Sequence, residues 1–369
     1  MPASSTTDLL SPAELAYLHS SLSSDPPIRP DARLATDFRP FSAETDVLPN
    51  TMGSAHVGFA DGREAVVGVR AEVERTTSVP GSIVGGKPGQ DVDMAGTEDE
   101  KNRTQGVSMG KGSWVSLSLT LPGLRDDDAS LVFLEEMLRE VLVAPASSTT
   151  STGNNASSGS GSLQDALVIN SRWHWRLHID VVLISPPEGS AAGSYPLPLL
   201  SMATHLALRN TRIPRLKSEG EEDPLADDDW EASVHLYTKS GKTRSLAGGV
   251  PPVTLLVMVA GDNVLFDPSG TELSVADGVF AVSITRLQAE SSDEVRVLAV
   301  RMLETSARDT FRGVARNDGV NEWDIVPGVW RPKVGGVKRG TYMRVVKDVL
   351  GSVGKEVIGS LEAFVIQAG

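Results

Sequence analysis

The sequence predicts an α+β protein with two structured halves. Three observations carry this. Strand-type alternation and helix-type stripes follow one another in both halves. Segments of biased composition break the pattern. The length of 369 residues suits about two to two and a half domains at roughly 150 residues each.

In chain order, Ser11 or Asp8 is placed to cap a short helix through Leu22, and Pro26, Pro27 and Pro30 end it. Residues 55–74 alternate around Asp61-Gly62 and read as a hairpin. Residues 114–121 alternate strictly, with Val115, Leu117, Leu119 and Leu121 on one face. Asp127 or Asp128 then caps a helix whose stripe is Leu131, Leu134, Leu138 and Val141. Residues 173–184 read as a strand, and 197–210 as a helix that ends before Pro214. The second half gives strands near 233–239, 253–260, 263–267, 279–287 and 295–304. It closes with a long helix, 341–365, on a stripe of Val346, Val349, Val353, Val357, Leu361 and Phe364.

Three segments interrupt these elements. Residues 145–162 contain 15 Ser, Thr, Gly or Asn in 18 and lack the apolar surface to offset ordering entropy. Residues 80–110 are rich in Gly and charge, and both segments read as insertions. The run 219–231 holds eight acids in 13 residues, and mutual repulsion suits it to an extended linker.

Composition excludes several classes. There is no cysteine, hence no disulfide, thiolate metal site or cysteine nucleophile. The net charge of −14 argues against a generally basic nucleic-acid coat but leaves room for a local basic groove. No apolar run approaches the ~18–20 residues of a membrane helix, and the N-terminus lacks a signal peptide's charged start. The expectation is a soluble intracellular protein.

Single motifs carry little chemistry. Gly81-x4-Gly86-Lys87 opens like a phosphate-binding loop, but Pro88 stands where Ser or Thr must hold magnesium. His174, His178 and Asp180 share a strand face. His174 and His178 lie about 13 Å apart at ~3.3 Å per residue, so they cannot share an ion; a polar sheet face or an interface fits them better. No G-x-S-x-G elbow and no carboxylate pair supports a hydrolase. Arg209, Arg212, Arg215 and Lys217 form a basic cluster, read either as a complement to a helix C-terminus or as a phosphate contact. A second basic stretch runs through Arg331, Lys333, Lys338, Arg339, Arg344 and Lys347.

Ordered blocks go further. Arg29-Pro-Asp-Ala-Arg33, followed by Asp37-Phe-Arg-Pro, resembles the R-x-D-G-R…D-x-R opening of the RNase PH family. Residues 44–56 (ETDVLPNTMGSAH), Val67-Gly-Val-Arg-Ala-Glu72, His178-Ile-Asp-Val-Val-Leu183, Asn210-Thr-Arg-Ile-Pro-Arg215 and Phe266-Asp-Pro with Glu272 are similar to one exosome-ring branch of it. The similarity runs in order over most of residues 11–366.

The resemblance implies an RNase PH fold of two β-α domains, ribosomal protein S5 domain 2-like and then RNase PH domain 2-like. The implied organisation is a helical extension (1–28), a first domain (29–217) carrying both insertions, the acidic linker (218–231) and a second domain (232–369). It also implies a six-membered ring with RNA in its channel. The implied partners are other RNase PH-like ring subunits, RNA-binding cap subunits and a processive hydrolytic exoribonuclease. The implied compartments are nucleus, nucleolus and cytoplasm, with no membrane and no cofactor.

Active family members hold phosphate in a Gly-Gly-Thr-Arg-type loop after the strand that ends near Asp180. Here that stretch is Ser185-Pro-Pro-Glu-Gly-Ser-Ala-Ala-Gly-Ser194. Where acids should precede a strand of the second domain, the chain has Gly248-Gly-Val-Pro-Pro252. The expectation is therefore a non-catalytic subunit in which Asp180 keeps only an ancestral acid position. Arg125, Arg212 and Arg215 are the expected RNA contacts. The competing readings are an active phosphate-dependent exoribonuclease and a metabolic enzyme on a similar scaffold.

Overall fold

Alternating strands sort into two sheets, and the helices fill the space between and beside them. The computed structural model describes residues 10–76, 110–144, 162–184, 195–238, 245–289, 292–303 and 337–367. The Gly81–Lys87 match, almost all of both insertions, the 185–194 stretch, Asp8, Arg331 and Lys333 lie outside these residues.

Helix α1 (Pro12–Leu22) starts at Ser11, whose hydroxyl accepts from the Glu14 amide while Glu14 reaches back to the Ser11 amide. Sheet 1 comprises β1 (Phe41–Thr45), β2 (Gly53–Phe59), β3 (Glu64–Arg75), β4 (Val115–Thr120) and β5 (Trp173–Leu183). Its order is β1-β2-β3-β5-β4, antiparallel except for the parallel β4–β5 pair. The expected hairpin is β2–β3. Helix α2 (Ala129–Val143) is capped by Asp128, and the short α3 (Leu163–Ala166) precedes β5.

Helix α4 (Leu197–Asn210) is mostly apolar and buried along nearly its whole length, its polar Ser201, Thr204, His205 and Arg209 included. It packs on β2 and β3 of sheet 1 and, on its other side, on β8 (Val253–Ala260) of sheet 2. Strands β6 (Arg212–Ile213) and β7 (Val234–His235) form a small ribbon. Sheet 2 then adds β9 (Asn263–Phe266), β10 (Gly278–Ala289) and β11 (Ser292–Leu303), in the order β11-β10-β8-β9, with α5 (Gly270–Leu273) after β9. One contiguous apolar cluster spans both sheets.

The terminal helix has three parts: α6 (Arg339–Asp348), a π-helical segment (Val349–Val353) and α7 (Gly354–Gln367). Its buried stripe is Val345, Val349, Val353, Val357, Leu361 and Val365, so Val345 replaces the expected Val346, and Phe364 is only half-buried. A repeat of four drifts by about 40° per step in an α-helix of 3.6 residues per turn. The wider π segment takes back part of that drift and keeps the stripe on the core.

The RNase PH-like blocks meet in space. Arg29 and Glu272 are both buried and paired bidentately, with Nε to Oε1 and Nη2 to Oε2 at 2.8 Å each. Arg33 and Arg39 both donate to the buried carboxylate of Asp267, Arg33 at 2.9 Å and Arg39 Nε at 2.8 Å. Burial would raise the Asp267 carboxyl, but hydrogen bonds and charge from Arg39, with Arg33 behind it, hold it below the ordinary carboxylate range. Residues 29–39, read as the start of the first domain, are thus anchored to the second half. So is the end of α1, where the Asn263 side chain donates to the Leu22 and Ser24 carbonyls at 2.9 and 2.7 Å.

The acidic run also differs from an extended linker. It folds back, with the Lys217 amide donating to the Leu225 carbonyl at 2.8 Å and Leu216 bridging Ala226. Asn170 donates to the Gly220 and Glu222 carbonyls, Trp173 Nε1 donates to Asp223, and Lys217 pairs with Asp227 at 2.9 Å. Donors outside the run thus hold its backbone at Gly220 and Glu222 and two of its carboxylates, Asp223 and Asp227, which local repulsion does not anticipate.

Candidate functional site

Strand β5 sets the site because its side chains alternate between the core and an outer face. Trp175, Leu177, Ile179, Val181 and Leu183 are buried, whereas Arg176, His178, Asp180 and Val182 face outward. The register continues that face sideways. Arg70 lies beside His178, Gly68 beside Asp180, and Ser116 and Ser118 beside His178 and Asp180 on the other flank.

Asp180 is exposed and lines a hollow of ≈ 350 Å³ with Arg70, Val66, Gly68, Val182 and the loop residues Leu48, Pro49, Asn50 and Thr51. Gly68 leaves room for the loop to lie over it, since a Cβ there would meet Leu48 and Thr51 at 3.2 and 3.4 Å. Among the described residues no cation pairs with Asp180, and no group of three or more His, Asp or Glu is placed to hold a metal. Single-sequence reasoning missed Arg70 and the 48–51 loop. Their signal lies in the ETDVLPNT and VGVRAE blocks, which β-pairing brings to Asp180.

The second-domain position expected to lack acids is closed by backbone and core contacts. The Val250 carbonyl accepts from Thr285 at 2.6 Å, and the Pro251 carbonyl lies 2.8 Å from Nδ1 of the fully buried His205. Burial, helped by the nearby Arg209 charge, pushes the His205 ring down to about 3, so it stays neutral and donates to Pro251. The segment packs as core beside α4.

The basic candidates separate. Arg209 is buried at the last turn of α4 and pairs with Glu362 of α7 at 3.2 Å, and Arg286 pairs with the same carboxylate. Arg212 is half-buried, with its amide donating to the Met52 carbonyl at 2.8 Å. Arg215 is exposed near Asp227, and Lys217 is taken by that aspartate. Arg125 stands at the turn before α2 with its side chain 86% exposed, 3.2 Å from Asp127. The cluster around residue 209 is therefore a core ion pair, a half-buried arginine and two exposed cations. In the second basic stretch, Arg344 donates to the Asp262 carbonyl at 2.7 Å.

The architecture matches solved structures of exosome cores. An archaeal exosome core aligns with a TM-score of 0.51 at 14% identity, covering 94% of this chain and 96% of that one. An Archaeoglobus fulgidus exosome with RNA bound to its active site aligns with the same score and coverage at 15% identity. The fold is thus the RNase PH fold of exosome-core subunits. In sequence the chain is similar to the exosome complex component RRP42 of Saccharomyces cerevisiae, at 29% identity over 279 residues, 74% of this chain and 81% of the relative. The exosome complex component rrp42 of Schizosaccharomyces pombe is 28% identical over 294 residues, 74% of this chain and 78% of that one. No protein-family model matches the chain. The RNase PH-like resemblance read from the ordered blocks, and its exosome-ring branch, are borne out.

Proposed function

We propose that this chain is a non-catalytic structural subunit of an RNA exosome ring, which helps assemble a hexameric core and guides RNA through its channel for 3′–5′ processing and degradation. Similarity to two yeast RRP42 proteins supports the ring assignment. The observation that carries the non-catalytic reading is the Gly248–Pro252 segment. At the position where active relatives need a carboxylate, Thr285 and His205 close the backbone into the core. The sequence after β5 adds to this, since it lacks the Thr-Arg pair that cradles phosphate. Among the described residues, the hollow at Asp180 offers Arg70 but no second cation to hold the attacking phosphate.

The two RNase PH-type halves, 29–217 and 232–369, joined through the acidic 218–231 turn and preceded by the 1–28 extension, are part of the same proposal. So are contacts of Arg125, Arg212 and Arg215 with RNA, of which Arg125 and Arg215 are the accessible ones. The proposed partners are RNase PH-like ring subunits, RNA-binding caps and a processive hydrolytic exoribonuclease, in nucleus, nucleolus and cytoplasm. Leu124, Val132 and Phe133 near the start of α2, and Tyr342, Met343 and Leu350 on the terminal helix, are exposed apolar groups available to neighbours. Affinity purification of the tagged chain tests the assembly reading. RNase PH-like subunits should co-purify in stable stoichiometry, and a monodisperse monomer with no such partner would refute it.

A further inference from the structure

A second hollow, of ≈ 410 Å³, opens at the opposite end of the outer face of sheet 1. It lies at the start of β5, six residues from Asp180, or roughly 20 Å at ~3.3 Å per residue. Glu74, Arg75, Thr76, Lys111, Arg176 and His174 line it, with Ser113 and Trp114 completing the wall. Three cations and one carboxylate give it a positive balance within an acidic molecule.

His174 is 4% exposed, and its ring stacks on Trp114 at 4.1 Å between centroids and 17° between planes. Its Nδ1 lies 2.9 Å from the Thr76 hydroxyl. With that hydroxyl donating, the neutral ring carries its proton on Nε2. Neither His174 Nε2 nor Arg176 Nε has a hydrogen-bond partner, although both atoms are buried. The Glu74 carboxylate is 3.7 Å from Nε2, too far for a hydrogen bond, and is engaged by the Arg176 terminal nitrogen at 3.2 Å. Two buried donors beside three cations lack an acceptor, and a buried donor left without one bears its desolvation penalty uncompensated. A compact oxyanion presents several acceptor oxygens at once, which a single carboxylate already held by Arg176 does not.

We propose that this hollow binds a phosphoryl group, free or at the end of a small nucleotide, through Lys111, Arg75, Arg176 and the His174 Nε2–H. The site is separate from the Asp180 hollow and does not depend on phosphorolysis.

Calorimetric titration of the full chain, alone or with its co-purifying ring subunits, tests it. Inorganic phosphate should bind the unaltered chain. Lys111→Ala combined with Arg176→Gln, two substitutions at accessible side chains, should weaken binding at least tenfold. Asp180→Asn should leave it unchanged. Adenosine monophosphate binding more tightly than phosphate assigns the phosphoryl to a nucleotide, and equal binding assigns it to the free anion. A phosphate-induced shift of the His174 ring signals in ¹⁵N-histidine-labelled chain gives an independent reading if the double variant folds poorly. No binding to the unaltered chain up to about 10 mM, or unchanged binding by a folded double variant, would overturn the site. Binding altered by Asp180→Asn and untouched by the double variant would instead place the anion in the ancestral cleft and contradict the non-catalytic reading.

Discussion

Ala32 occupies the left-handed region at φ 61°, at the position where the R-x-D-G-R pattern of the family has glycine. A Cβ there costs roughly 1–2 kcal/mol, partly offset by glycine's greater freedom when unfolded. Ala32→Gly should therefore stabilise the chain by about 0.5–1 kcal/mol in urea unfolding, and a destabilisation would contradict the assigned conformation. His205 gives a pH signature. Its folded-state value, about 3, lies below the unfolded ~6.5, so the unfolded chain binds the extra proton between them. Its stability contribution is complete above about pH 6.5 and falls by about 1.4 kcal/mol per pH unit below that, until about pH 3. Unfolding free energies from pH 6.5 to 5 should show this slope, and His205→Gln should flatten it. At this scale the sequence was uneven. Asp128 and Ser11 as caps were readable because their partners are two or three residues away. Arg209 was not, because its partner Glu362 is 153 residues distant.

At the scale of elements, local periodicity was a reliable guide where one face is buried and the other wet. Strand β4 alternates in burial as its Val-Ser-Leu-Ser-Leu-Thr sequence does. Two elements escaped it: the terminal helix, whose π segment shifts the stripe from Val346 to Val345, and the acidic turn, held by Asn170, Trp173 and Lys217. The family-like blocks gain a physical meaning here. Gly53 of β2 lies against Thr211 at the end of α4, where an added Cβ would come within 2.5 Å of the Thr211 Cα. Asn210 also reaches the Ser54 carbonyl, at 3.5 Å. The N-T-M-G-S-A and N-T-R-I-P blocks are the two sides of one close contact between sheet and helix. Gly53→Ala should cost about 1–3 kcal/mol through overpacking and lower the melting temperature. An unchanged melt would show that α4 is free to move away.

At the scale of the whole molecule, α4 is shared by the two sheets, and residues 29–39 clamp the first half to the second through Glu272 and Asp267. Breaking a buried pair such as Arg29–Glu272 typically costs about 3–5 kcal/mol, so these halves behave as one scaffold. The fold was legible through ordered motif blocks more than through composition. The candidate site was legible only in part: Asp180 was found, but Arg70, the 48–51 loop and the His174 hollow required the strand register. What the molecule keeps is architecture, with exposed apolar groups on α2 and the terminal helix and a few accessible arginines. What it lacks is the acid before β8 and the Thr-Arg pair after β5. The direct test is incubation of the purified chain with labelled single-stranded RNA, with and without inorganic phosphate. The expected result is no phosphate-dependent release of nucleoside diphosphates. Release that requires phosphate and disappears in Asp180→Ala would contradict the account.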